Sequence, residues 1–136
     1  FCFGTLAAMY VLFAIREVGL GPLALGLTIA MGGAGNLIGA LWAPRFVAWM
    51  GLGKALVTAS FAYGLLVFFI PFAPADVYRG AAALMVSQLF GDMAFVLFHV
   101  PEISYRQSVV PDQLLGRVNA SMSLLTQGML PLGALA

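Results

Sequence analysis

Charge is what this sequence has least of. Six Lys and Arg and five Asp and Glu make up 8% of 136 residues, where a soluble domain carries about 25%. Such a chain cannot cover its surface with solvated side chains and falls in the membrane class. The formal net charge of +1 supplies no basic field for a nucleic acid, which is excluded as a partner. The single cysteine, Cys2, cannot close an internal disulfide and reads as a small apolar filler. There is one histidine and no H-E-x-x-H motif, and no paired nucleophile and base. No enzyme, cofactor or metal site is therefore expected. The chain also lacks an initiator Met and a charged leading region before its first apolar run. It does not read as a signal peptide, but as an internal fragment of a larger polytopic protein.

What is present is apolar sequence in long runs: 62% of residues are hydrophobic and the mean hydropathy is +1.03. Five segments can be read, at about 1–15 (truncated), 23–43, 55–72, 80–104 and 118–136. Runs of this length in lipid must be helical, because no water is there to satisfy backbone groups. The expected fold is all-α, a polytopic transmembrane helix bundle of five spans in one region. The breaks contain Gly19, Gly21 and Pro22, then Pro44 and Arg45, then Pro71, Pro74 and Asp76, then Pro111. Arg45, Lys54, Arg106 and Arg117 fall in the second and fourth breaks, and only Arg16 and Arg79 in the first and third. The positive-inside rule then puts the second and fourth breaks in the cytoplasm. Trp42, Trp49, Tyr78 and Tyr105 lie near span ends, where interfacial anchors are expected.

The second segment is dense in glycine, with Gly26, Gly32, Gly33, Gly35 and Gly39. The G-x-x-x-G at Gly35 and Gly39 suits close helix packing. Asn36, beside these glycines, either lines a cavity or hydrogen-bonds a neighbouring helix. Pro101 has no N–H for the carbonyl of Leu97 and is expected to kink its helix, as is Pro131 in the last segment.

The fourth segment carries polar groups where lipid forbids them. At about 100° per residue, Gln88, Asp92, His99, Glu102 and Arg106 fall in an arc of roughly 80° on an otherwise apolar helix. Each ionisable residue in a span costs on the order of 3 kcal/mol or more, so it needs a partner, water or a function. Glu102 and Arg106 have the spacing of a helical ion pair. His99 is either satisfied by a neighbour or relays protons.

The following stretch, Tyr105-Arg106-Gln107-Ser108-Val109-Val110-Pro111-Asp112-Gln113-Leu114-Leu115-Gly116-Arg117-Val118-Asn119-Ala120-Ser121, has its own local logic. Pro111 suits the first position of a short helix and Asp112 its positive end. Gly116 is expected to break the turn, and Arg117 to sit at the inner surface. Asn119 then enters the next span. This stretch resembles the loop between helices ten and eleven of bacterial major facilitator superfamily exporters, in the branch of the enterobactin exporter and macrolide-efflux-like proteins. The run Pro44 to Lys54 is comparable to a weakened second copy of that family's G-x-x-x-D-R-x-G-R-R signature. Gly51 and Lys54 match it, while Ala48 and Trp49 stand at its acidic and following basic positions.

The resemblance implies that the five segments are helices seven to eleven of twelve, a partial C-terminal half of a major facilitator fold. It implies a multi-pass protein of the bacterial plasma (inner) membrane that exports a small molecule by alternating access, coupled to protons. Its partners are then the substrate, protons, the lipid bilayer and the missing N-terminal half. Sites in such transporters lie near the membrane midplane, which favours Asp92 together with Gln88, His99 and Asn36. A carboxyl in a low-dielectric cavity is suited to exchanging a proton near neutral pH. Glu102, Arg106 and Arg117 are then an ion pair or a cytoplasmic gate. An importer or uniporter of the same superfamily, and a non-transporting receptor or scaffold, are the alternatives.

Overall fold

Apolar runs in a bilayer core must satisfy their backbone internally, and every regular element among the described residues is a helix. The computed structural model describes residues 2–74 and 76–134, with side chains for 5–74, 76–111 and 113–129. Helix α1 is Cys2–Arg16, α2 Pro22–Met50, α3 Leu52–Phe69, α4 Val77–Val109 and α5 Asp112–Ala134. A single 3-10 turn, Ile70–Phe72, extends α3. Cys2, Asp112 and Pro131, for which a filler, a helix-dipole partner and a kink were expected, lie outside the residues whose side chains are described.

Among the described residues three helices are long and apolar enough to cross a membrane: Pro22–Met50, Leu52–Phe72 and Val77–Val109. That composition is the mark of a membrane protein. Of the other two expected spans, α1 has 15 residues, which is short of the roughly 20 a span needs. The fifth, α5, is a helix of 23 residues that carries Asn119, Ser121, Ser123, Thr126 and Gln127 among its described side chains.

Several expected boundaries move. The helix α2 does not stop at 43 but runs through Pro44 to Met50. Proline costs one backbone bond there, and the turn is held by Ala43, which is buried against Ala59 and Leu97. The expected loop of residues 44–54 shrinks to Gly51, whose φ of +77° makes the reversal into α3. The helix α4 extends beyond 80–104 at both ends and continues through Pro101. Its start is fixed by Asp76, whose Oδ1 accepts from the backbone N–H groups of Tyr78 and Arg79 at 3.0 and 3.3 Å. The helix α5 begins at Asp112 rather than 118, so Gly116 lies inside it and breaks no turn. Pro111 stands just before the helix, its carbonyl accepting from Leu114 and Leu115 at 2.9 and 3.2 Å. Trp42 sits two turns inside α2 rather than at its end, whereas Trp49 and Tyr78 project from helix ends as expected.

The central packing is between α2 and α4. The buried residues of α2 are Thr28, Gly32, Gly35, Gly39 and Ala43, spaced three or four apart so that they form one stripe. A Cβ on Gly35 would run into the Leu89 carbonyl, and one on Gly39 would sit 2.7 Å from the Met93 carbonyl. The two helices therefore meet backbone to backbone, as the G-x-x-x-G spacing implied. Contacts climb together from Gly35 at Leu89, through Gly39 at Met93, to Ala43 at Leu97. The helices α2 and α4 are thus parallel, and α3 runs back antiparallel to both, packed mainly on α4. This places the Gly51 turn and the Val110–Pro111 connection at one end of the bundle, with Arg45, Lys54, Arg106 and Arg117 nearby. At the opposite end, Ala14, Val18 and Leu20 bury against Leu84 and tie the α1–α2 connection to α4.

Gly35→Ala is expected to destabilise the bundle by about 1–3 kcal/mol through overpacking. Gly33→Ala, at a position with open space around it, should change stability by less than about 0.5 kcal/mol. Unfolding of the intact protein in mixed micelles measures both. For orientation, a membrane-impermeant maleimide applied to intact cells should label Gly21→Cys and spare Gln113→Cys in a Cys2→Ala background. The reverse pattern would invert the assignment.

Candidate functional site

The site begins with the missing side chain at Gly32. A Cβ there would overlap Asp92 Oδ2 and lie 3.5 Å from Gln88 Nε2. The notch left by this glycine lets the Asp92 carboxyl and the Gln88 amide lie against the α2 backbone, one turn apart on α4. Gly32 is buried and Asp92 half-buried, so α2 closes one side of the carboxyl and the other side opens inward.

It opens onto a cavity of about 550 Å³ between α1, α2, α3 and α4. Most of the wall is apolar, including Phe13 of α1, Ile29 of α2 and Val67 of α3. The polar groups are few: Asp92, Gln88 and Ser87 from α4, Tyr10 from α1 and Tyr63 from α3. Both tyrosines lie within electrostatic range of Asp92. The Tyr10 hydroxyl is buried with the Thr28 hydroxyl as its polar neighbour, and among the described residues it makes no closer hydrogen bond. The Thr28 hydroxyl is occupied locally, donating to the Leu25 carbonyl at 2.7 Å. Such a chamber, mostly apolar with a few convergent polar groups, has the size and make-up of a small-molecule site.

The rest of the polar face has a different environment. Glu102 lies between His99 and Arg106, with Oε2 3.8 Å from His99 Nδ1 and Oε1 3.5 Å from Arg106 Nη1. The His99 ring packs against Phe95 at a centroid distance of 4.8 Å, and Phe95 in turn meets Tyr63 at 5.7 Å. On another side of the same stretch of α4, Pro101 and Tyr105 face Pro44 and Val47 across a separate groove of about 390 Å³.

The five residues of the α4 arc therefore divide. Gln88 and Asp92 share the cavity, while His99, Glu102 and Arg106 form an ion cluster that does not line it. Asn36 also lies off the cavity: it is exposed on α2, rotated away from the stripe that faces α4. Arg117 is exposed on α5 and makes no ion pair with Glu102 among the described residues. Asn119 is half-buried and Gly116 exposed in the same helix. Sequence reading passed over Tyr10, Tyr63 and Thr28, and saw in Gly32 only a packing residue. The available signal was a tyrosine in the middle of a span, away from the interfaces where its hydroxyl is normally wet. Among the described residues no group of three or more His, Cys, Asp or Glu is placed to hold a metal ion. No protein-family profile, curated protein or solved structure matches the chain.

The ion cluster is open to its surroundings, with His99 and Glu102 side chains 49% and 30% exposed. Its separations are also long for charge-assisted bonds. Glu102→Gln should accordingly cost less than about 1 kcal/mol in the same unfolding assay. A loss of several kcal/mol would mean that the cluster is sealed from solvent in the intact protein.

Proposed function

We propose that this chain is part of a secondary active transporter, from the C-terminal half of a major facilitator exporter of the bacterial inner membrane. In this reading the cavity at Asp92 is half of the central site. It takes a small molecule from the cytoplasm, and alternating access releases it outside with protons moving in the opposite direction. The observation that carries the reading is a carboxyl held at mid-helix on the wall of a mostly apolar cavity bounded by four helices. An ionisable side chain in a span is costly. A carboxylate serving packing alone would be expected to have a cationic partner, and Asp92 has none among the described residues. Near the midplane of a transporter the same carboxyl can exchange a proton for substrate.

The parallel packing of α2 on α4 also supports this reading. Two helices locked by backbone contact can rock as a unit about a fixed site, as alternating access requires. The sequence likeness of residues 105–121 to the loop between helices ten and eleven of such exporters points the same way.

The test is export by the intact protein in proteoliposomes under an imposed pH gradient, with Asp92→Asn as the variant. Asn keeps the shape and removes the exchangeable proton. Gradient-driven export should fall at least about tenfold, the scale on which an acid–base group acts, while the folded bundle is retained. Unchanged coupling would remove Asp92 from the mechanism. Uptake rather than export would favour an importer, and absence of transport by folded wild-type protein would favour a receptor or scaffold.

A further inference from the structure

We propose that the cavity at Asp92 selects a monovalent organic cation, seated against the Asp92 carboxylate between Tyr10 and Tyr63. This deepens the transport reading and rests on it for the identification of the cavity as the substrate site. The charge balance of the wall sets the sign. Among the described residues lining the cavity, Asp92 is the single charged group, and no Lys, Arg or His joins it. Of the basic side chains on α4, His99 and Arg106 are turned to Glu102, and Arg79 stands at the helix start, more than three turns from Asp92. An organic anion would meet a carboxylate in an apolar chamber without a counter-charge, which is strongly unfavourable. A cation would supply the partner that Asp92 lacks.

The other polar groups fit the same ligand. Tyr10 and Tyr63 come from different helices lining the cavity, and both lie within electrostatic range of Asp92. Phenol rings attract cations through their faces. The Tyr10 oxygen, buried beside the Thr28 hydroxyl, also has lone pairs to offer. The volume of about 550 Å³ is that of a site for a compact organic molecule rather than a bare metal ion. The apolar remainder of the wall calls for a ligand whose charge is embedded in hydrocarbon.

Two probes of one shape and opposite charge test the sign directly. Equilibrium dialysis of the intact, detergent-solubilised protein would use tetraphenylphosphonium and, separately, tetraphenylborate, with protein-free micelles subtracted. Saturable binding is expected for the phosphonium and absent for the borate. Asp92→Asn should weaken phosphonium binding by at least about tenfold, as loss of a desolvated opposite charge implies. Tetraphenylborate binding as tightly as the phosphonium would overturn the proposal. So would an affinity unchanged in folded Asp92→Asn protein. If that variant fails to fold, the comparison of the two ions on wild-type protein decides alone. The dialysis has no gradient, so loss of charge selectivity would leave proton-driven export standing. Conversely, failure of export would leave a cation-selective cavity.

Discussion

The structure depends on the absence of side chains along one face of α2. At Gly32, Gly35 and Gly39 there is no Cβ to hold the helices apart, so the α2 backbone meets the α4 backbone at Leu89 and Met93. In lipid, two helices gain little by burying apolar surface from each other, because the tails are equally apolar. Dispersion over a close seam supplies the attraction, and it falls away quickly if the helices part. The seam fixes the register of α4, and with it the height and direction of every polar group on that helix.

The polar site follows from the same seam. Asp92 occupies space that a side chain at position 32 would have filled. A carboxyl among aliphatic side chains of ordinary size would be pushed either to lipid or into a salt bridge. The glycine notch instead lets it lie beside the α2 backbone and face a partly open cavity walled by α1 and α3. Packing and chemistry thus draw on the same few residues.

The two halves of the α4 polar face show how burial sorts similar residues into different roles. His99, Glu102 and Arg106 lie where the surface is partly open, and Glu102 stands between the other two over two turns of helix. Gln88 and Asp92 lie where α1, α2 and α3 converge, and among the described residues Asp92 finds no cation there. Helical spacing alone makes all five look like one stripe, since angular position on a helix carries no information about what the neighbouring helices present.

Composition and hydropathy by themselves determined the class: an all-helical chain with runs suited to a membrane, because backbone groups have no other solution in lipid. The glycine stripe and the exceptional status of Asp92 were also legible, each being a local violation of what an apolar helix should contain. Element ends were less so. The sequence reading stopped α2 at Pro44 and started α5 at 118, whereas burial of Ala43 and the cap at Pro111 let both helices run longer. Only the tertiary structure decided that Tyr10 and Tyr63 converge on Asp92, that Asn36 does not, and that His99 belongs with Glu102. Those relations join residues from different helices. They are set by which faces pack, and the packing is chosen by side-chain volume across the α2–α4 seam rather than by any local pattern.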